Sequence, residues 1–222
     1  MLYISDNSLP YIMTVINAMQ FNPTEAGIVA DTQITSFLRK HNIADKIIAI
    51  DDSPYLIALV GGAGSASDVF TTLSDLKEEY GEAQKSFSSF DPKQSDDPEE
   101  TQAMEEVINS IRCVKGLSRI ITDLTIRSRR NKLDTFLEKK YGVTGDQFRA
   151  NENINPLLLE EMKYIYTYND EDIINSVFLV VGSDSRGVHM YTVEEGNLPE
   201  YAPKSYTIIG SGIDVSDYVL GS

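Results

Sequence analysis

Thr14 is the residue of this sequence with the most distinctive chemistry, because it opens a strand-like segment directly after a methionine. It follows Met13 and begins the alternating run "TVINAMQF". If Thr14 is the first residue of the mature chain, its α-amino group titrates at about pH 7.7–8.0 and can take the proton of its own hydroxyl. Thr14 is then a nucleophile that carries its own base. The alternative is an ordinary strand residue, since threonine is common in strands.

Four further residues supply what such a nucleophile needs: a cation near the amine, an acid that orients the cation, and donors for an oxyanion. Asp31 ends the second predicted strand and Lys46 begins the third, so neighbouring strands can bring both toward Thr14. Gly62, at a predicted strand-to-helix turn, offers an unobstructed N–H. Ser211, in "GSG" at a second such turn, offers a hydroxyl.

Each of these residues also has a structural interpretation. Asp31 can begin a turn, and Lys46 can be a solvated lysine at a strand edge. The glycines at 61 and 62 fit a backbone turn whether or not the site is catalytic. Ser211 can be a helix N-cap, with Asp214 completing an arrangement like a capping box.

The elements that would position these residues are predicted from alternation, turn residues and helical spacing. Residues 14–62 contain four strands arranged as two antiparallel hairpins, and a helix follows, with Gly81 as its predicted stop. Strands return in 176–196 as another hairpin and near 205–209. Hairpins that lead through a glycine turn into a helix predict an α+β domain.

The middle of the chain has a different character. Residues 82–104 are rich in Ser, Asp, Glu, Gln and Pro, which predicts a flexible linker. Residues 105–175 are mostly helical in pattern, and we expect a helical insertion there. The domain prediction is therefore an N-terminal extension or propeptide in 1–13 and one domain in 14–222 that contains both segments.

Composition excludes several classes of function. The net charge of −15 over 222 residues argues against nucleic acid as a partner, because phosphate binding needs a basic surface. No apolar run approaches the roughly 18 residues of a membrane span. Cys113 is the only cysteine and there are two histidines, so we expect no ordinary zinc site, no disulfide and a cytoplasmic location. We also expect no cofactor.

Taken in order, five segments resemble a proteasome β-type subunit of the Ntn-hydrolase superfamily, the group that includes HslV-like peptidases. Beyond Thr14, the matching segments are "ADTQIT", "DKIIAI", "ALVGGAGSASD", "VVGSDSRGVHMYTVEEGN" and "IIGSGIDVSDYVL". The resemblance implies a four-layer αββα sandwich and peptide-bond hydrolysis by Thr14. In that scheme Lys46 tunes the nucleophile, Asp31 orients Lys46, the Gly62 N–H holds the oxyanion, and Ser211 supports the amine.

The resemblance also implies partners: a peptide or unfolded protein as substrate, a homo-oligomeric ring, and an ATP-dependent unfoldase. The chain departs from the family's pattern in three ways. It retains Met13 before the threonine, region 82–175 is long, and the C-terminal part after "GSG" is short enough to predict truncation. Two alternatives follow: a catalytically inactive proteasome-like scaffold subunit, and a Thr-dependent peptide ligase.

Overall fold

The computed structural model describes most of the chain, and three of the five predicted site residues lie outside that part. The described residues are 15–30, 33–36, 39–42, 46–90, 98–151, 154–168, 176–194, 197–202 and 205–210.

Strands and helices alternate in blocks along the chain. The strands are β1 (Ile16–Asn22), β2 (Glu25–Ala30), β3 (Gln33–Ser36), β4 (Arg39–Asn42), β5 (Ile47–Asp52), β6 (Leu56–Gly64), β7 (Ser176–Asp184), β8 (Gly187–Glu194), β9 (Glu200–Tyr201) and β10 (Tyr206–Ile209). The helices are α1 (Ala66–Ser89), α2 (Pro98–Ile111), α3 (Val114–Tyr141), α4 (Gly145–Ala150) and α5 (Pro156–Tyr168).

All strand pairings among the described residues are antiparallel. The largest sheet has five strands in the order β5-β6-β7-β8-β9, a second has three in the order β10-β1-β2, and β3 pairs with β4. The predicted α+β class, with helices beside antiparallel sheets, is confirmed at this level.

The five-stranded sheet is covered on both faces, which explains the unbroken apolar run in β7. Phe178, Leu179 and Val180 are consecutive and fully buried. One face packs against α1 and α3 and the other against the three-stranded sheet. The described residues thus form three layers. The predicted fourth, helical layer is not confirmed within them.

Helix α1 is longer than the sequence predicted. It passes Gly81 and ends at Ser89, and α2 already begins at Pro98, so both ends of the segment 82–104 are helical. Glycine inside a helix costs only about 1 kcal/mol, which tertiary contacts can outweigh. Tyr80 and Gln84 supply such contacts, because both hydrogen-bond Asp52 on the sheet.

Helix α3 belongs to the main core, although the sequence placed it in an insertion. Its first half buries Val114, Leu117 and Ile121 completely against the five-stranded sheet. The helix ends at Tyr141, and its C-cap residue Gly142 has a φ of 66°, in the left-handed region that favours glycine.

Asp52, the last residue of β5, is a buried carboxylate that joins the sheet to α1 and to the connection between α2 and α3. Its Oδ2 accepts hydrogen bonds from Tyr80 Oη at 3.2 Å and Arg112 Nε at 2.8 Å. Its Oδ1 accepts a third from Gln84 Nε2 at 3.1 Å. Burial raises the pKa of Tyr80, and the Asp52 charge raises it further. The tyrosine therefore stays a neutral donor.

The partner cation, Arg112, lies between α2 and α3 and is held by two aromatic rings. Its Cζ is 4.3 Å from the ring centroid of Tyr55 and 4.9 Å from that of Phe87. The side chain keeps 13% of its surface exposed, while that of Asp52 keeps 5%. This ion pair is thus largely removed from water, and its loss leaves a buried charge.

We expect Arg112→Met to lower the free energy of unfolding by about 3 kcal/mol, because Asp52 is left buried without its cation. Urea denaturation measures the change. The control is Arg127→Met, whose pair with Glu79 is largely exposed and for which we expect less than about 1 kcal/mol. Equal losses in the two variants would contradict the buried role of Arg112.

Candidate functional site

Two of the predicted site residues, Lys46 and Gly62, lie within the described part of the chain. Thr14, Asp31 and Ser211, together with the N-cap alternative for Ser211, fall outside the described residues. The site is therefore built from the strand ends that the structure describes.

Lys46 directly precedes β5, which is an edge strand of the five-stranded sheet. Only 6% of its surface is exposed, so the structure does not support a solvated lysine at a strand edge. Lysine is rarely buried unless its ammonium has polar or charged neighbours, because desolvation of the charge is costly.

Gly62 lies opposite Lys46 on the neighbouring strand. Its N–H donates to the Lys46 carbonyl oxygen, with an N···O distance of 3.2 Å. The structure corrects the predicted position, because Gly62 lies inside β6 and the strand-to-helix turn comes later, at Gly64. Gly64 has a φ of 123°, which favours glycine.

Gly62 also has a packing role that the sequence did not reveal. A Cβ added there would lie 2.6 Å from Val69 Cγ1 of α1 and 2.9 Å from Phe178 Cε1 of β7. The absence of a side chain thus lets α1 approach the sheet.

The start of β1 packs against the same stretch of β6. A Cβ on Gly61 would lie 3.2 Å from both Cδ1 and Cγ2 of Ile16. Thr14 is two residues before Ile16, and two extended residues span about 7 Å. The chain length therefore allows Thr14 to reach the end of β6 that pairs with Lys46, from the face of the sheet to which Gly61 belongs.

Two polar features at this end of the sheet were not predicted. Ser176 begins β7 opposite Gly64, and its buried Oγ has no hydrogen-bond partner within the described residues. Ser65, the N-cap of α1, makes no capping hydrogen bond with its side chain. No sequence signal identifies the position of Ser176, because the pairing of β6 with β7 is not local.

A second group of titratable residues lies at the opposite end of β7, around Asp184. Its side chain has no exposed surface. Its Oδ2 accepts from the Val114 N–H at the start of α3 at 2.9 Å, and its Oδ1 accepts from the Arg186 N–H at 2.8 Å. Burial alone raises the pKa of Asp184, but these hydrogen bonds and the Arg186 guanidinium outweigh it, so the pKa is lowered.

This second group also contains a thiol and an imidazole. Cys113, the N-cap of α3, accepts at Sγ from the Gly116 N–H at 3.2 Å. His189 Nε2 lies 3.8 Å from Asp184 Oδ1. Among the residues described, no cluster of His, Cys, Asp and Glu could hold a metal ion. None of the described helices is long and apolar enough to span a membrane.

Comparison with known proteins identifies no family. No protein-family model and no curated protein matches the chain. Similar solved structures include Anbu (ancestral beta-subunit) from Yersinia bercovieri, with 13% identity and a TM-score of 0.48 over 92% of this chain. An Anbu (Gly-1) mutant from Hyphomicrobium sp. strain MC1 has 12% identity and a TM-score of 0.48 over 89%. The chain spans 65% and 60% of the length of these two proteins.

These findings correct the sequence-based assignment to proteasome β-type subunits and HslV-like peptidases, which is wrong. No family model supports it, and the similar structures are Anbu proteins at 12–13% identity. Identity this low, with TM-scores under 0.5, does not establish a shared family. The five matched segments are short and consist of residue types that are frequent at strand ends and turns, so their order alone is weak support.

We expect Gly62→Ala to lower the free energy of unfolding by about 1–3 kcal/mol, because the new methyl group overlaps Val69 and Phe178. Thermal and urea unfolding measure the change. Gly81→Ala, in the second half of α1, is the matched control. Its Cβ meets nothing within 4 Å, and we expect it to stabilise α1 by up to about 1 kcal/mol. A neutral Gly62→Ala would show that α1 does not approach β6 closely.

Asp184 is expected to contribute stability that depends on pH. Its pKa in the folded protein lies below the ordinary value of 3.8, so the contribution is complete above that value. It is lost as the pH falls through the lowered folded pKa. Urea titrations at a series of acidic pH values measure this, and Asp184→Asn should flatten that part of the profile. Asp123→Asn, on the exposed face of α3, should leave the profile unchanged.

Proposed function

We propose that the protein is an amide hydrolase in which Thr14, exposed as an N-terminal residue, attacks a peptide carbonyl. The observation that carries this proposal is the burial of Lys46 beside the stretch of β6 against which the start of β1 packs. A buried lysine near the expected position of an N-terminal threonine is the cation that such a nucleophile needs.

In the proposed reaction, the Thr14 hydroxyl oxygen forms a bond to the carbonyl carbon while the α-amino group takes the hydroxyl proton. The Lys46 ammonium stabilises the charge that develops, and Asp31 and Ser211 position Lys46 and the amine. Collapse of the tetrahedral intermediate breaks the C–N bond, and the leaving amine takes the proton. Water then hydrolyses the ester, which releases the acid and restores Thr14.

The oxyanion requires N–H donors that are free to turn toward it. The Gly62 N–H already donates to the Lys46 carbonyl, so its proposed role requires that this bond be exchanged when substrate binds. The first turn of α1 offers other donors, because the Ser65 side chain does not cap it.

A non-catalytic scaffold is the second candidate. The specific observation in its favour is that the Gly62 N–H is engaged in a bond between β5 and β6. In a scaffold this bond is part of the sheet, and Lys46 stabilises the strand end. The predicted homo-oligomeric ring and unfoldase partner remain predictions under either candidate.

The test is to measure the mass and N-terminal sequence of the purified protein and then its reaction with a peptide epoxide. We expect a chain that begins at Thr14 and a covalent adduct on that residue. Lys46→Met should slow adduct formation by about 10²–10³-fold, because the charge that assists the nucleophile is lost. Lys77→Met, which replaces an exposed lysine of α1, is the control and should react at the wild-type rate.

A chain that retains residues 1–13 and does not react with the epoxide would overturn the hydrolase and favour the scaffold. Circular dichroism must show that Lys46→Met folds as the wild type does. If Thr14 is exposed and Lys46→Met reacts at the wild-type rate, the assignment of Lys46 is wrong.

A further inference from the structure

The first ten residues of α2, 98–107, are almost entirely exposed. None of their described side chains is buried, whereas Ile108 is buried and Ile111 packs against the main core. A helix of 14 residues is marginal in water on its own, because most helical stability in proteins comes from packing of one face. The exposed part of α2 thus has the character of a helix that packs against another molecule.

The exposed side of α2 is acidic and includes apolar surface. The helix contains four glutamates and no lysine or arginine. Glu99, Ala103 and Glu106 are spaced by four and three residues, so they lie on one face of the helix. Val107 borders this face one turn beyond Ala103, and it exposes 51% of its surface. These four residues are called the α2 face.

Helix α3 carries the opposite charge. It holds eight Lys or Arg residues and three Asp or Glu residues, in a chain with 19 and 34 of them. Arg119, Ile126 and Arg130 follow at intervals of seven and four residues, so they lie on one face, and all three are exposed. Neither arginine forms an ion pair with a described residue. These three residues are called the α3 face, and Asp123 is the one acid that borders it.

The α2 face and the α3 face complement each other in charge, and each combines two charged side chains with an exposed apolar one. Both faces are exposed on the same molecule, so they can meet only in a contact between two copies. Two α2 faces would repel each other, because each presents glutamates. An α2 face against the α3 face of a second copy instead places glutamates opposite arginines, with Val107 and Ile126 as the apolar surface between them.

We propose that two copies of the protein associate by docking the α2 face of one copy onto the α3 face of the other. A two-fold axis makes this contact twice, since each copy supplies both faces. The bond from Arg112 to Asp52 anchors the junction of α2 and α3 to the sheet before association, which reduces the ordering that docking requires. The proposal is independent of the hydrolase proposal, because neither face contains a proposed catalytic residue.

The test is sedimentation velocity of the full chain over a concentration series, at low and at high salt. We expect a dimer that dissociates on dilution and is weakened by salt, because salt screens charges at exposed helix faces. The double variant Glu99→Lys/Glu106→Lys should weaken dimerisation at least about tenfold, since it places like charges opposite one another. Arg119→Glu/Arg130→Glu should do the same. The variant that combines all four substitutions should dimerise again, because opposite charges then face each other with their signs exchanged.

The controls make the same changes in net charge elsewhere. Glu78→Lys/Glu82→Lys and Lys77→Glu/Lys85→Glu alter exposed positions of α1, and both should dimerise as the wild type does. Circular dichroism must show that every variant folds.

Val107→Ser is a milder variant that removes apolar surface without a change in charge, and it should also weaken dimerisation. Leu157→Ser, at an exposed position of α5, should not. The proposal is overturned if the wild type stays monomeric at low salt throughout the concentration series. It is equally overturned if folded charge-reversed variants and Val107→Ser dimerise as the wild type does, or if the folded combined variant does not regain the dimer.

Discussion

Two adjacent glycines in β6 set how closely the three layers approach one another. Successive strand residues face opposite sides of a sheet, so Gly61 lies on one face of the sheet and Gly62 on the other. A Cβ on Gly61 would lie 3.1 Å from Ile28 Cδ1 of the three-stranded sheet, and a Cβ on Gly62 would overlap Val69 of α1. The same stretch of β6 faces Lys46 across the β5–β6 ladder. The layer spacing and the position of the lysine therefore depend on one short segment.

Local signals in the sequence predicted the elements well where alternation and turn residues were strong. The β5–β6 and β7–β8 hairpins and the start of α1 follow from such signals. The end of α1 does not, because its last turns are held by Asp52, which is 28 residues before Tyr80. The segment 82–104 was predicted to be flexible from its composition, yet it contains the end of one helix and the start of another. The composition of a segment reflects its average hydrophobicity and charge, and it does not reveal the tertiary contacts that stabilise a helix.

The candidate site was predictable only in part, for a similar reason. Residue type and order singled out Lys46 and Gly62, and the structure brings them opposite each other. The hydrogen bond between their backbones and the Ser176 hydroxyl, which has no partner among the described residues, both depend on pairings between distant segments. The family resemblance failed because short segments at turns share residue types for backbone reasons. The sequence segment singled out Lys46 but did not predict that its side chain is buried.

The pairing of β6 with β7 also has a consequence for how the chain acquires its structure. Leu56 pairs with Asp184 and Gly64 with Ser176, so more than a hundred residues must be made before the central ladder can close. Contacts of such high sequence separation slow folding, because the entropy of loop closure is lost before the contacts form. During synthesis, β6 leaves the ribosome with one edge open, and such edges are prone to mispairing. Early formation of α1, which follows β6 directly, would cover one face of that strand while its partner is still being made.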